Sequence, residues 1–368
     1  MSRARDFADL AAAYSGGGAL GNRNMVDNGN FVIHQRTGTI TVAANTGTDT
    51  LDRWEVDTAN CDNISIEVTQ ADDIPPELGE GFSHKLQVKT VESAIASNEI
   101  VRLLHMTEAQ DMQRLGYGTA NTKTTTLSFW VKSSIAGTFA VNIYANNGSD
   151  IIGSTYTISS ADTWEKKTLT FAGNHLATIN NDNGYGVYLQ WTIVAGSDFT
   201  STDNTSWAGY STGNLAYGHA TNTHATTDES TWQIAGVQWE LGEVATPFEH
   251  ISYADNLAKC QRYFFRLKGD DGDYWGVPFS VYTTSSGEGT IRFPQAMRAK
   301  PALTMSGTFN IKANDDSADT TTAPTIYATD DFLGANIYSN AVSGMTIGQP
   351  GNMRWKANSS YVDFSAEL

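Results

Sequence analysis

The sequence predicts an all-β protein: an antiparallel sandwich or barrel, followed by a second, smaller β-sandwich. Three observations carry this. Apolar and polar residues alternate with a period of two from Asn22 to His250 and again beyond Arg262. The alternating runs are short, and Gly, Asn, Asp and Ser bound them as turn residues do. Charged residues make up only 17% of the chain, against about 25% in globular domains. Thr, Ser, Asn and Gly take their place, which suits sheets with uncharged faces. Alternating strand and helix units are missing, which disfavours a doubly wound fold. At 368 residues with 40% hydrophobic content, the chain exceeds one average domain.

Residues 2–14, SRARDFADLAAAY, read as a short helix. Ser2 can cap it, and Phe7, Leu10 and Ala11 share a stripe at helical spacing. SGGGALG then breaks the chain. A lone helix of this length is marginal in water, so it either docks onto something else or frays. In the first case Arg3, Arg5, Phe7 and Leu10 anchor it.

Strands follow. TLSFWVKSS alternates Leu127, Phe129 and Val131, and GTFAVNIYAN alternates Phe139, Val141 and Ile143. WEKKTLTFAG, GVYLQWTIVAG and WQIAGVQWELG continue the period. Trp54 and Trp164 read as core, and Trp130, Trp191 and Trp239 as core or as contacts with a neighbouring subunit. Residues 92–115 fit helix or strand, and a strand with a helical turn near TEAQDM suits a sandwich better. Residues 196–231 form a long polar loop carrying Trp207, Tyr210 and Tyr217.

A helical link is expected over 251–262, with Ser252 as cap, Asp255 in the first turn, and Tyr253, Leu257 and Cys260 on one face. Beyond it, RYFFRL, YWGVPFSVYTT, GTIRFP, ALTMSGTFNIKA, PTIYAT, LGANIYS, GMTIG and SYVDFSAEL are short strands of the second sandwich. The expected domains are 1–21, 22–250 and 251–368.

The formal net charge of −17 repels phosphate backbones and anionic bilayers, which argues against nucleic acid and membrane partners. No run of about 18 apolar residues could span a membrane. MSRARDFADL carries Asp6 and Asp9 and does not read as a secretory signal. Cys61 and Cys260 supply neither a disulfide framework nor a C-x-x-C metal spacing, and reduced, buried thiols fit synthesis in a cytoplasm.

Aromatic faces amid Asn, Gln, Ser, Thr and Tyr are what a sugar-binding surface needs. The candidates are Trp207, Tyr210 and Tyr217 in the long loop, with Tyr274 and Trp275 in the second unit. Asp270, Asp271 and Asp273 resemble half of a calcium loop, but the Glu that an EF-hand needs is missing, so a solvated acidic turn is expected. His219 and His224, near Asp228, lack the rigid frame of a zinc site and read as solvent-exposed. No G-x-S-x-G elbow, P-loop, dinucleotide fingerprint or H-E-x-x-H occurs, so a non-enzyme is expected.

The stretch VQWELGEVATPFEHISYADNLAKCQRYF resembles a segment of tail-fibre and related virion proteins of tailed bacteriophages. NGNFVIHQR (28–36), DRW (52–54), LSFWVKSSIAGTF (127–139), FPQAMRAKPALTMSG (293–307) and the opening SRARDFADL are similar too. The resemblance implies a jelly roll like those of carbohydrate-binding modules, then a smaller β domain. It also implies a virion component, homotrimeric, attached to other virion proteins by its N-terminus and contacting host surface glycan. A capsid fibre or decoration protein and a glycan depolymerase are the alternatives. By family likeness, a structural calcium between the first and last strands of the jelly roll would involve Asp27, Asn28 and Glu240. No other cofactor is expected.

Overall fold

The structure is a computed structural model that describes residues 21–221, 223–307, 309–313, 325–328, 332–340 and 346–368. The helix expected over 2–14, with Arg3, Arg5, Phe7 and Leu10, lies outside them. The chain divides into two compact units between Asn256 and Leu257.

The strands of the first unit are β1 (Ile40–Val42), β2 (Gly47–Asp49), β3 (Trp54–Asp57), β4 (Ser65–Ala71), β5 (Ser83–Thr90), β6 (Ile100–Glu108), β7 (Thr125–Ser133), β8 (Gly137–Ala145), β9 (Asp150–Ile158), β10 (Glu165–Phe171), β11 (Tyr185–Ala195), β12 (Ala208–Gly209) and β13 (Thr231–Leu241). They form a jelly-roll sandwich of two antiparallel sheets, in the orders β1-β4-β5-β13-β7-β10 and β12-β9-β8-β11-β6-β3-β2. The period-two pattern sends Leu127, Phe129 and Val131 of β7 and Phe139, Val141 and Ile143 of β8 into one core, all fully buried. Trp54, Trp191, Trp232 and Trp239 join them. In 92–115, strand β6 is followed by a 3₁₀ turn over Ala109–Leu115.

Two tryptophans lie outside the core. Trp130 stands between Phe129 and Val131, so alternation turns it outward, where it is half-buried. Trp164, just before β10, is also half-buried: its Nε1 donates to Asp73 Oδ1 at 3.1 Å, and Lys132 Nζ lies 5.5 Å from its ring.

Helix α1 (Tyr253–Gln261) starts as predicted: Ser252 Oγ accepts from the Asp255 amide at 3.1 Å and donates to its carboxylate at 2.6 Å. Its buried positions, however, are Asn256 and Cys260, and Tyr253 is 62% exposed. A polar residue holds that stripe because Asn256 Nδ2 donates to Asn30 Oδ1. Cys61 and Cys260 are free and buried. Burial, then Glu99 and Glu92 nearby, push the Cys61 thiol up to about 12 and leave it unreactive.

The second unit contains β14 (Phe264–Gly269), β15 (Tyr274–Thr283), β16 (Ser286–Arg292), β17 (Ala302–Ser306), β18 (Phe309–Ala313), β19 (Thr325–Ala328), β20 (Gly334–Asn340), β21 (Pro350–Trp355) and β22 (Ser360–Ser365). The sheets run β14-β22-β17 and β18-β21-β15-β16-β20-β19, over a separate core that includes Trp275, Phe279, Trp355 and Phe364. Strand β21 escaped the sequence reading because Pro-Gly-Asn opens it like a turn. Conversely, the described part of GMTIG, 346–348, includes a turn and no strand.

Candidate functional site

The residues that mark the resemblance are folding devices. Gln238 and Glu240 on β13 hold the Ala-Thr-Pro-Phe-Glu turn. Glu240 accepts from the Thr246 amide (2.8 Å), the Thr246 hydroxyl (2.7 Å) and Gln238 Nε2 (2.8 Å). Gln238 Oε1 accepts from the Glu249 amide at 2.8 Å. In Asp-Arg-Trp, Asp52 accepts from the backbone and side chain of Gln35, and Trp54 is core. Arg53 takes the left-handed conformation (φ 73°) and bonds the Met106 carbonyl. Asn28 exchanges hydrogen bonds with the backbone of Ile33.

These partners bear on the calcium expectation. Asn28 Oδ1 serves Ile33, both Glu240 oxygens serve Thr246, and Asp27 faces Arg53 at 3.7 Å. Among the described residues, no group of three or more His, Cys, Asp or Glu could hold a metal ion.

A different surface has binding chemistry: the outer face of the seven-stranded sheet. With Phe139, Val141 and Ile143 inward, β8 turns Asn142 and Tyr144 outward. With Val187, Leu189 and Trp191 inward, β11 turns Tyr188 and Gln190 outward. Register sets Tyr144 opposite Tyr188, Tyr188 opposite Met106, and Gln190 opposite Leu104. On β3, Glu55 and Asp57 share this face.

Part of the face is covered by the segment 197–221. Phe199, Leu215 and Ala216 cluster there with Ala140 and Ile151 of the sheet. Buried asparagines fix the cover: Asn204 Nδ2 donates to Asn142 Oδ1 (3.0 Å) and to the Asn214 carbonyl (2.7 Å), and Asn142 Nδ2 donates to the Leu215 carbonyl. Gly153 is required beneath, since a Cβ there would collide with Asn142 and Asn204.

Beside the cover lies a row of four tyrosines. Tyr144 and Tyr188 stack at 5.4 Å, Tyr210 meets Tyr144 edge-on at 5.5 Å, and Tyr185 meets Tyr188 edge-on at 5.5 Å. The end rings, Tyr185 and Tyr210, are 41% and 45% exposed. Burial first, then Tyr185, Tyr144 and Glu55, hold the Tyr188 hydroxyl well above its ordinary value, so it stays a donor. Arg102 Nε binds Asp57 at 2.7 Å. The row thus exposes tyrosine rings and hydroxyls chiefly at its two ends, while Gln190 and Asn142 of the same face are buried.

Of the residues predicted from sequence, Tyr210 belongs to this row. Trp207 packs on its own sandwich, 5.3 Å from Tyr117, with Nε1 donating to the Ala172 carbonyl at 2.6 Å. Tyr217 is half-buried in the covering segment. Tyr274 is 56% exposed on the second unit, 5.9 Å from the Arg354 guanidinium. Trp275, its neighbour on the opposite face, is buried against Trp355. Asp270, Asp271 and Asp273 form a turn tied by its own backbone amides and by Asn358. The histidines correct the reading: His219 and His224 are buried, and burial lowers His224 to about 4. His224 meets Ser133 Oγ of β7 at 3.0 Å, because the turn that carries it packs on the sandwich rather than hanging in solvent. Tyr144, Tyr185 and Tyr188 went unnoticed because aromatics in strands read as core. For Tyr144 and Tyr188 the signal was their phase, opposite to that of the buried neighbours, whereas Tyr185 shares the phase of Val187 and carried no such signal because the register shifts between Tyr185 and Tyr188.

No family model matches the chain, and no curated protein matches it. Solved structures share the fold distantly. The enzymatically active domain of bacteriophage CBA120 tailspike protein 4 is 14% identical at a TM-score of 0.33, over 59% of this chain and 21% of that one. A family 11 carbohydrate-binding module of a Clostridium thermocellum cellulase is 11% identical at 0.28, over 57% and 98%. TmCBM61, solved with β-1,4-galactotriose, is 9% identical at 0.28, over 60% and 99%. At these values the likenesses fix neither a family nor a ligand.

Proposed function

We propose that this chain is a glycan-binding, non-enzymatic fibre component of a tailed-bacteriophage virion, which contacts the host surface through the outer face of its seven-stranded sheet. The observation that carries the reading is the four-tyrosine row, whose end rings Tyr185 and Tyr210 are exposed. Aromatic rings with hydroxyl groups suit the mixed apolar and polar surface of a sugar. The virion setting rests on the resemblance of the Gly-x-x-Ala-Thr-Pro-Phe-Glu stretch and its flanks. In this reading the chain is a homotrimer, joined to other virion proteins through residues 1–21.

The test is retention on immobilised polysaccharides, comparing the full chain with Tyr188→Ala. Retention of the native chain on at least one polymer, weakened about tenfold or more by the substitution, supports the reading, since tenfold corresponds to about 1.4 kcal/mol of lost contact. Equal retention of both proteins moves the site elsewhere. Release of reducing ends from the retained polymer would make the protein an enzyme. A monomer mass at micromolar concentration would remove the trimer.

A further inference from the structure

We infer that Asn183 is a site of spontaneous covalent modification, selected by the fold from the three Asn-Gly pairs of the sequence, Asn28-Gly29, Asn147-Gly148 and Asn183-Gly184. The inference does not depend on the glycan reading. In such a pair the glycine amide nitrogen attacks the asparagine side-chain carbonyl carbon, Cγ. A C–N bond forms, the side-chain nitrogen leaves as ammonia with the amide proton, and a cyclic succinimide remains. Water then opens the ring on either side. The product is aspartate or, with the main chain rerouted through the side chain, isoaspartate. The sum is asparagine plus water going to aspartate or isoaspartate plus ammonia, with no oxidant and no enzyme. Glycine is the favourable neighbour because it has no Cβ to hinder the approach.

Attack needs a side chain that can leave its partners and a backbone that can turn. Asn28 has neither. It is 1% exposed, its Oδ1 accepts from the Ile33 amide, and its Nδ2 donates to the Ile33 and Asp52 carbonyls. Gly29 is pressed against Val237, whose amide donates to the Gly29 carbonyl at 2.8 Å. Asn147 is exposed, but it sits within the 3₁₀ turn Asn146–Gly148, and its Oδ1 accepts from the Asn180 amide at 2.9 Å. Cyclisation there has to unwind the turn and release that bond. Asn183 is exposed in a bend just ahead of β11. The peptide groups on either side are fixed: the Asp182 carbonyl accepts from the Gln110 amide at 2.8 Å, and the Gly184 carbonyl from the Ala109 amide at 2.9 Å. The reacting group between them belongs to no helix or strand. Its nitrogen donates to the exposed Asp182 carboxylate at 2.9 Å, a bond inside the bend that solvent can replace. Either product adds a carboxylate two residues before Tyr185, and isoaspartate also adds a backbone methylene. The Tyr185 ring is an exposed end of the tyrosine row, so the row acquires a slow, irreversible change at that end.

The experiment holds the native full chain in mildly alkaline buffer made with oxygen-18 water, so that each hydrolysed ring carries the label. Peptide mapping by mass spectrometry then reads the rate at each Asn-Gly pair, and isoaspartyl methyltransferase labelling identifies isoaspartate. A sample denatured in urea runs alongside. In the native chain we expect label at Asn183 to appear at least about tenfold faster than at Asn147 or Asn28, a difference of about 1.4 kcal/mol in barrier. In urea the three rates should converge. A smaller native preference, or faster reaction at Asn147 or Asn28, overturns the inference. So does an Asn183 that stays intact in the native chain while the denatured chain reacts. A preference that persists unchanged in urea belongs to the local sequence and overturns the selection by the fold.

Discussion

Single residues here do more holding than binding. Glu240 lies beneath a turn whose amide and hydroxyl it accepts, and it is 3% exposed. Replacing it with Ala orphans these donors, and we expect a loss of about 2–3 kcal/mol in denaturant unfolding. His84 and His224 should make the molecule acid-sensitive. Burial depresses them to about 3 and about 4, while the unfolded chain keeps a value of about 6.5. Both are therefore neutral in the fold. As pH falls below about 6.5, the unfolded state takes up protons that the native state refuses, so the stability these groups contribute declines until the folded values are reached. Melting temperature measured from pH 7 to 5 should fall, and His84→Gln with His224→Gln should flatten the decline. A flat profile in the native protein would refute this. None of this was legible in the sequence. A histidine in a Thr-Asn-Ala-Gly segment carries no mark of burial until the segment is known to pack on a sheet.

Among the elements, the strands with clean alternation were legible to their inner faces, as β7 and β8 show. The outer faces were less so, because a tyrosine serves a core or a surface equally well and only its phase separates the two. Strand β21 was hidden by its Pro-Gly-Asn start, although pairing with β18 and β15 places it inside a sheet. Strand β13 carries a register shift between Ala235 and Gln238, and Gly236 within it sits at φ 56° with Leu78 over its Cα. Gly236→Ala introduces left-handed strain and a contact with Leu78, an expected cost of about 1–2 kcal/mol in thermal or denaturant unfolding. A neutral result would mean that the bulge relaxes into ordinary strand.

At the scale of the molecule, each unit closes its own core, around Trp54, Trp191 and Trp239 in one and Trp275 and Trp355 in the other. Calorimetry should therefore resolve two transitions. Trp355→Ala, which removes a fully buried ring, should lower the transition of the second unit by about 3–5 kcal/mol and leave the first in place. One merged transition that shifts as a whole would contradict that independence. The two-unit layout was readable from the period of the strands and the capped helix between them. The tyrosine row was not, since it is assembled from β8, β11 and a segment some twenty residues beyond Tyr188.

That assembly divides labour in a way selection can use. The sheet tyrosines share their strands with the core, so their surroundings tolerate little change. Tyr210 rides on a strap whose Asn214 holds the Gly209 carbonyl and the Ser211 amide on either side of it. Exchange of the Tyr210 side chain alone can thus alter the exposed end of the row, while the sheet beneath and the folding of the molecule carry on undisturbed.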